Sequence, residues 1–215
     1  MRISVVCSNP AHPVWPELED WCQQQRLQSH QVELVCTLSE LTPGDLLFLV
    51  SCGDIVSDNI RSQYQKTLVL HASDLPEGRG WSPYIWDILA GKNRITVSLL
   101  EAREPVDSGD VFLKKSIELT GHELLSEIHQ QLFAAECELM SCFVQEYPEL
   151  KAQPQDEKKA SYYRLRTPDD SELDIDLTIR EQFNQLRVAD NQRFPAFFNH
   201  HGRKYRLLIE DVTDE

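Results

Sequence analysis

The sequence predicts an α/β protein in which a mostly parallel sheet carries helices on both faces. Apolar, β-branched runs alternate with helical segments along residues 1–150, and this alternation is typical of parallel strands joined by helices. After residue 150 the alternation ends, and short extended segments flank one helix. We therefore expect a Rossmann-like main domain over residues 1–150 and a small α+β extension over residues 151–215, packed on that domain.

The strands are predicted from apolar runs bounded by turn residues. Residues 46–52 form an almost continuous apolar run after the turn Thr42-Pro43-Gly44, which is typical of a strand buried on both faces. Residues 67–70 form a similar run that leads directly into His71. The predicted strands of the main domain are residues 2–7, 32–36, 46–52, 67–70, 95–100 and 111–119.

The helices are predicted from the spacing of apolar residues and from end signals. Thr120 followed by Glu123 is a capping box. The long helix behind it keeps one apolar face, which includes Ile128, Leu132 and Leu139. The other predicted helices are residues 12–28, 55–64, 81–89 and, in the extension, 179–188.

The extension is predicted to begin with a linker. Residues 151–159 are polar and charged and contain Pro154, so we expect them to form a surface linker. Residues 162–165 are predicted to be extended. Residues 196–198 and 205–209 are predicted to form a hairpin around His201-Gly202.

Composition and charge argue against several classes of protein. The 215 residues carry a net charge of -14, which disfavours a protein that holds nucleic acid by its phosphates. No apolar stretch approaches the roughly 18 residues that span a bilayer, and the first residues are typical of a strand rather than a signal peptide. The six cysteines contain no CxxC pair, and His200-His201 lacks accompanying ligands. We expect a cytoplasmic protein with free thiols, no membrane contact and no metal site.

A histidine and an aspartate follow two of the predicted strands. His71 opens a stiff loop that contains prolines and glycines, and strand ends are where α/β proteins build sites. Asp107 lies in the loop after residues 95–100, two residues before Gly109. A carboxylate beside a histidine raises the basicity of the imidazole and fixes its tautomer. Each residue also has an ordinary interpretation, as a hydrogen-bonded polar histidine and as a turn aspartate.

The loop from His71 to Pro83 resembles a motif of the formyltransferases that use 10-formyltetrahydrofolate. It reads HASDLPEGRGWSP, and the family string is H-x-S-L-L-P-x-x-R-G-x-x-P. That family places the aspartate of a D-x-G sequence 36 residues after its histidine, and Asp107 lies 36 residues after His71. The resemblance covers roughly residues 1–145. It implies a catalytic domain in which His71 and Asp107 carry out formyl transfer to an amine.

The resemblance also implies where the two substrates bind. The loops over residues 52–56 and 100–106 would hold the formyl donor, 10-formyltetrahydrofolate. Its predicted contacts are Cys52, Gly53, Ile55, Val56, Leu100 and Val106. The acceptor is expected on the opposite side, against Asn9, Arg79, Gly80 and Trp81. Arg79 either holds a phosphate of the acceptor or braces its own loop, and the sequence leaves both roles open.

The wider string HASDLPEGRGWSP…IWDIL is similar to short bacterial sugar N-formyltransferases, including some of pseudaminic-type pathways. This similarity implies a small-molecule acceptor, a UDP- or dTDP-linked 4-amino-4,6-dideoxy sugar. A glycinamide ribonucleotide formyltransferase is the alternative of similar length, although Cys7-Ser8-Asn9-Pro10 replaces its glycine-rich phosphate loop. We expect neither the added C-terminal domain of the methionyl-tRNA enzymes nor the N-terminal regulatory domain of the formyltetrahydrofolate hydrolases.

One position departs from the family pattern. The family core reads N-x-H, and Val69 stands where the asparagine would be. The family asparagine helps to polarise the formyl oxygen, and a valine cannot donate a hydrogen bond. The His71 imidazolium, a backbone N–H or a water molecule could supply the donor instead. The alternative interpretation is a folate- or nucleotide-binding module without turnover.

Overall fold

A six-stranded mixed sheet forms the centre of the computed structural model, which describes residues 1–212. In spatial order its strands are β2 (Gln31–Val35), β1 (Arg2–Val6), β3 (Gly44–Leu49), β4 (Tyr64–His71), β6 (Arg94–Glu101) and β7 (Val111–Glu118). Strands β1 to β4 are parallel, and β6 is antiparallel to both of its neighbours. The predicted α/β class with a mostly parallel sheet is confirmed.

The main hydrophobic core lies on one face of the sheet. Alternate residues of the strands point into it, and Phe48 of β3 is fully buried there between Trp21 and Phe143. Its ring meets theirs edge-on, with centroids 5.7 Å and 6.1 Å apart. Three helices cover this face: α1 (Trp15–Leu27), α3 (Pro83–Leu89) and α4 (Leu125–Glu146).

The opposite face of the sheet carries a smaller apolar cluster. Its buried members are Val6, Leu47, Leu49, Val56 and Tyr64. The four-residue helix α2 (Asp58–Arg61) contributes Ile60 to this cluster, so helices lie on both faces as predicted. The predicted helix over residues 55–64 is reduced to α2, since the chain before it remains irregular and packs Val56 into the cluster.

Two predicted boundaries move for identifiable reasons. Strand β4 begins at Tyr64, three residues early, because the Tyr64 hydroxyl donates to Ser4 Oγ and Thr42 O on the neighbouring chain segments. Helix α4 begins at Leu125 rather than directly behind Thr120. The Glu123 carboxylate accepts hydrogen bonds from the backbone N–H and the hydroxyl of Thr120, so the predicted capping box closes the turn that precedes the helix.

The extension contains the predicted hairpin and a shorter form of the helix predicted over residues 179–188. Strand β8 (Tyr162–Tyr163) pairs in parallel with β5 (Arg79–Gly80) of the main domain. Helix α5 (Phe183–Arg187) follows, and β9 (Phe197–His200) and β10 (Arg203–Arg206) form a hairpin around His201-Gly202. Both hairpin strands lie closer to the turn than predicted, because residues Leu207 and Ile209 pack into a small cluster of the extension instead.

The segment predicted as a surface linker, residues 151–159, is mostly exposed but also pairs with the sheet. Most of residues 151–159 is exposed, but the backbone of Gln153 pairs with that of Val111 at the start of β7.

Within the described part of the chain, no helix is both long and apolar enough to cross a membrane.

Glu136 is an acidic residue inside the main core. Its side chain lies on α4 and is 6% exposed, and its Oε2 has no hydrogen-bond partner among residues 1–212. Burial raises the pKa of this carboxyl from 4.5 to about 8. The folded protein therefore retains a proton that the unfolded chain releases at lower pH.

We expect Glu136→Gln to remove a pH dependence of stability. In the parent, the stabilising contribution of the Glu136 proton is complete below pH 4.5 and is lost as the pH rises to about 8. As the pH rises over this range, the free energy of unfolding should therefore fall less steeply in the variant than in the parent. The two slopes should differ by up to about 1.4 kcal/mol per pH unit. Urea unfolding at a series of pH values measures this, with Glu146→Gln, exposed on the same helix, as the control. Equal slopes in the parent and Glu136→Gln would contradict the expectation.

Candidate active site

His71 is the last residue of β4 and is 8% exposed. It pairs with Ser98 of β6, and its side chain lies on the same face of the sheet as that of Val69. His71 Nε2 lies 2.9 Å from the carbonyl oxygen of Gly78. Because a carbonyl only accepts hydrogen bonds, Nε2 carries the proton. Nδ1 is left to face the loop that contains Asp107.

Asp107 lies beside His71 in the loop after β6. It is 8% exposed, and its φ of +61° is in the left-handed region. Its Oδ1 lies 3.6 Å from His71 Nδ1, the distance of a charge pair rather than of a direct hydrogen bond. Its Oδ2 accepts a 3.0 Å hydrogen bond from the Gly80 N–H. The carboxylate therefore joins the loop after β6 to the loop after β4, next to the imidazole.

Two glycines allow these loops to approach each other. At Gly80, whose φ is +96°, an added Cβ would lie 2.4 Å from the carbonyl oxygen of Tyr163. At Gly109 it would lie 1.7 Å from the carbonyl oxygen of Glu101. Neither position accepts a side chain without backbone movement. The glycines of the R-G and D-x-G patterns are therefore required by the close packing of the backbone in this fold.

The two loops expected to hold the formyl donor meet at the smaller apolar face. Cys52 and Val56 belong to the same apolar cluster as Ala102, which follows β6. Leu100 packs in the adjoining cluster with Leu75 and Val111. The structure therefore brings Leu100 into one region with Cys52 and Val56, which lie far from it in sequence.

The remaining predicted donor contacts lie at the outer ends of these loops. Ile55 and Val106 are 72% and 56% exposed, and the Gly53 N–H donates to Ser8 Oγ over 3.1 Å. Arg61 links the two loops, since its Nη1 donates to Val56 O over 2.6 Å and its Nη2 lies 4.0 Å from Glu104 Oε1.

Val69 lies where the two apolar clusters meet. It pairs with Leu49 on β3 and with Leu100 on β6, and it contacts both clusters. The hydroxyls of Thr67 and Ser73, two residues before it and four after it, are buried and have no hydrogen-bond partner among residues 1–212. Val69 is thus an apolar side chain that contacts both apolar clusters, at the position where the sequence comparison expects the family asparagine.

The residues expected to contact the acceptor do not all line one cavity. Arg79 is fully buried and donates to Gln155, Glu157 and Tyr162. Of its two expected roles, holding a phosphate or bracing its own loop, it therefore has the second. The Gly80 N–H is bonded to Asp107, and Trp81 is 53% exposed. Asn9 instead lines a separate cavity of about 640 Å³, whose lining contains none of the other three.

This cavity lies between the loop after β1, the first turns of α4 and the extension. Its wall includes His12, His129 and the ion pair of Asp190 and Arg193, whose Oδ2 and Nε are 2.7 Å apart. Burial lowers the pKa of His129 to about 4 and also lowers that of His12. Both imidazoles are therefore neutral near pH 7, and the cavity has a polar wall without strong net charge.

Sequence reasoning missed the part of the extension that supports the site. Residues 155–163 were assigned to a linker and a short extended segment, but Gln155 contacts the loop of Asp107 and β8 holds the loop of Gly80. Their polar composition gave no signal of these contacts. Across residues 1–212, no group of three or more His, Cys, Asp or Glu side chains is arranged to hold a metal ion.

Comparisons with known proteins identify the family. The sequence model of the formyl transferase family matches residues 7–144. The methionyl-tRNA formyltransferase of Sulfurihydrogenibium sp. is 30% identical over 169 residues, which is 77% of this chain and 54% of that protein. The enzyme of the same name from Listeria monocytogenes is 26% identical over 200 residues, 86% of this chain and 64% of that protein. The chain thus spans between half and two thirds of the length of these two relatives.

Solved structures share the fold. The methionyl-tRNA formyltransferase from Clostridium thermocellum has a TM-score of 0.83 at 18% identity, and the match covers 99% of this chain and 94% of that one. A 4-N formyltransferase from Francisella tularensis has a TM-score of 0.76 at 18% identity, covering 99% and 98%. HypX from Aquifex aeolicus, in complex with tetrahydrofolic acid, has a TM-score of 0.77 at 21% identity, covering 97% and 37%. Since the family sequence model covers well over half of its residues, this chain belongs to the formyl transferase family.

Proposed function

We propose that this protein transfers a formyl group from 10-formyltetrahydrofolate to the amino group of a nucleotide-linked amino sugar. The observation that carries the proposal is the buried His71–Asp107 pair at the end of β4, with Nδ1 and Oδ1 3.6 Å apart. Membership of the formyl transferase family supports the same reaction.

The proton movements of formyl transfer fit this pair. 10-Formyltetrahydrofolate supplies the activated formyl group. The acceptor amine loses a proton as its nitrogen bonds to the formyl carbon, and the departing nitrogen of the donor gains one as its own bond to that carbon breaks. An imidazole can take and return a proton near neutral pH. The Asp107 carboxylate stabilises the imidazolium of His71 while it holds the proton.

We place the flat ring system of the folate beside Val69. Val56, Val69 and Leu100 supply apolar walls, and the ends of the loops after β3 and β6 offer backbone groups for hydrogen bonds. These residues would hold the ring, and the exposed side chains of Ile55 and Val106 would lie at the rim. Cys52 and Gly53 belong to the same loop and complete the proposed donor site.

The cavity next to Asn9 has the size of a small-molecule site, although its lining includes neither His71 nor Asp107. Its volume of about 640 Å³ lies within the roughly 300–1,000 Å³ common for small-molecule sites. The net charge of -14 disfavours a polyanionic acceptor. We propose a UDP- or dTDP-linked 4-amino-4,6-dideoxy sugar, of the kind used in pseudaminic-type pathways.

Methionyl-tRNA is the second candidate acceptor. The observation in its favour is the 30% identity to the methionyl-tRNA formyltransferase of Sulfurihydrogenibium sp. over 77% of this chain. The two candidates differ in the size and charge of the acceptor, so a direct assay separates them.

Incubation with 10-formyltetrahydrofolate and a panel of acceptors tests the proposal. The panel contains UDP- and dTDP-linked amino sugars, glycinamide ribonucleotide and methionyl-tRNA, and mass spectrometry detects the added formyl group. We expect a formylated amino sugar, and no turnover by His71→Ala with an unchanged circular dichroism spectrum, because that variant lacks the proton carrier. If methionyl-tRNA is the only acceptor formylated, the acceptor is methionyl-tRNA and the proposed amino sugar is wrong. Tight binding without any product would contradict the enzyme and favour a binding module, and a His71→Ala rate within threefold of the parent would reject the assignment of His71.

We expect Asp107→Asn to lower turnover by at least about a hundredfold. The amide can still accept the hydrogen bond from Gly80, but it removes the negative charge 3.6 Å from His71 Nδ1. Steady-state rates measured across pH test this. Asp110→Asn is the matched control, since Asp110 lies in the same loop and pairs with Arg103 instead. A variant whose rate and pH profile both match the parent would make Asp107 a turn residue only.

We expect Val69→Asn to give no large gain in turnover. The new amide would lie among Leu75, Leu100 and other apolar neighbours, where an unpaired polar group costs about 1–3 kcal/mol. Turnover of Val69→Leu, which is similar in size to asparagine, separates crowding from polarity. A rise of about a hundredfold for Val69→Asn would mean that the parent site lacks an oxyanion donor, which would favour the weak enzyme or the binding module.

A further inference from the structure

The side chain of Gln155 joins the two loops that carry the candidate catalytic pair. Its Nε2 donates to the carbonyl oxygens of Asp107 and Gly109, over 2.8 Å and 2.7 Å. Its Oε1 accepts from Nη2 and Nε of Arg79, over 2.7 Å and 3.2 Å. Both amide protons and both acceptor positions of one glutamine are therefore in use.

The Arg79 end of this bridge is rigid. The guanidinium is fully buried, and its five N–H groups are all bonded, since Glu157 accepts over 2.6 Å and 2.9 Å and the Tyr162 hydroxyl over 3.0 Å in addition to Gln155. These bonds offset the cost of burying the charge. Arg79 directly precedes Gly80, whose N–H is bonded to Asp107 Oδ2. Fixing Arg79 therefore fixes the donor that holds one oxygen of the Asp107 carboxylate.

The Asp107 end of the bridge is a strained backbone. A φ of +61° is disfavoured for a residue with a Cβ and persists only where the surroundings impose it. Gln155 holds the carbonyl of Asp107 itself and that of Gly109, two residues later. These bonds orient the peptide units from which the carboxylate projects toward His71.

We propose that Gln155 is a positioning residue that sets the placement of the Asp107 carboxylate against His71. The inference rests on the proposed role of the His71–Asp107 pair in formyl transfer. Gln155 does not touch the imidazole; it acts through the backbone of Asp107 and through Arg79 and Gly80. It lies outside residues 7–144, the part matched by the family sequence model.

The first test is kinetic and uses Gln155→Glu. The new carboxylate still accepts from Arg79, but it faces the carbonyl oxygens of Asp107 and Gly109 without protons to donate, so the loop must shift. We expect kcat to fall at least about tenfold, because small displacements of catalytic groups are costly, while KM for the donor and the acceptor changes less than twofold. Gln153→Glu is the matched control, since it adds the same charge two residues away on an exposed side chain. A folded Gln155→Glu variant with the kcat of the parent would overturn the proposal.

The second test does not depend on turnover and uses Gln155→Met, which keeps the length of the side chain without charge or hydrogen bonds. The ring of His71 is followed by NMR in protein labelled at histidine, with the signal assigned by its absence in His71→Ala. At one fixed pH, we expect the ring nitrogen chemical shifts of His71 to differ from those of the parent in Gln155→Met, because a displaced Asp107 carboxylate changes the surroundings of Nδ1. We expect Gln153→Met to leave these chemical shifts unchanged.

The outcomes of the two tests separate this proposal from the proposed function. A parent that formylates no acceptor rejects the function, and the His71 chemical shifts still decide the role of Gln155. An active parent with unchanged kcat and unchanged His71 chemical shifts in the Gln155 variants rejects the positioning role alone. Loss of the folded state in both Gln155 variants would assign the residue to stability and would also overturn the proposal.

Discussion

The buried guanidinium of Arg79 is the constraint on which the arrangement of the site depends. Burying a cation is costly unless it is paired and hydrogen-bonded, and here the partners come from the extension, through Gln155, Glu157 and Tyr162. Those contacts require residues 155–163 to lie against the loop that follows β4. The parallel pairing of β8 with β5 follows the same path. Gly80 is held in turn, and its N–H reaches Asp107.

The elements of the main domain could be predicted from the sequence because each has a local signal. Apolar runs mark β3 and β4, and helical spacing marks α1 and α4. The reversed direction of β6 could not be predicted in this way, because an apolar strand has the same pattern whether its neighbour is parallel or antiparallel. The helix predicted over residues 55–64 covers only Asp58–Arg61. Val56 lies outside it and packs into the smaller cluster instead. That packing is a tertiary effect, and it overrides the local propensity.

The candidate site was predictable to the extent that it follows strand ends and motif spacing. His71 and Asp107 were singled out in this way, and the structure places their side chains 3.6 Å apart. The surroundings were not predictable, because they depend on contacts between distant segments. Arg79 could have pointed to a ligand or to the protein, and only the position of Glu157 decides this. Asn9 and Trp81 were grouped on one acceptor surface, whereas Asn9 lines a cavity that does not include Trp81.

The pairing of β8 with β5 also affects how this fold could be recombined. A division of the chain at the end of α4 would separate Arg79 from Gln155 and Glu157, and would leave a buried cation without its partners. The stretch up to Tyr163 therefore belongs with the upstream half, although it comes after α4. A chimera that exchanges the extension's part of the cavity next to Asn9 would need its junction beyond Tyr163, where the chain has left β5 and the exchanged part still includes Leu186, Arg187 and residues 189–193.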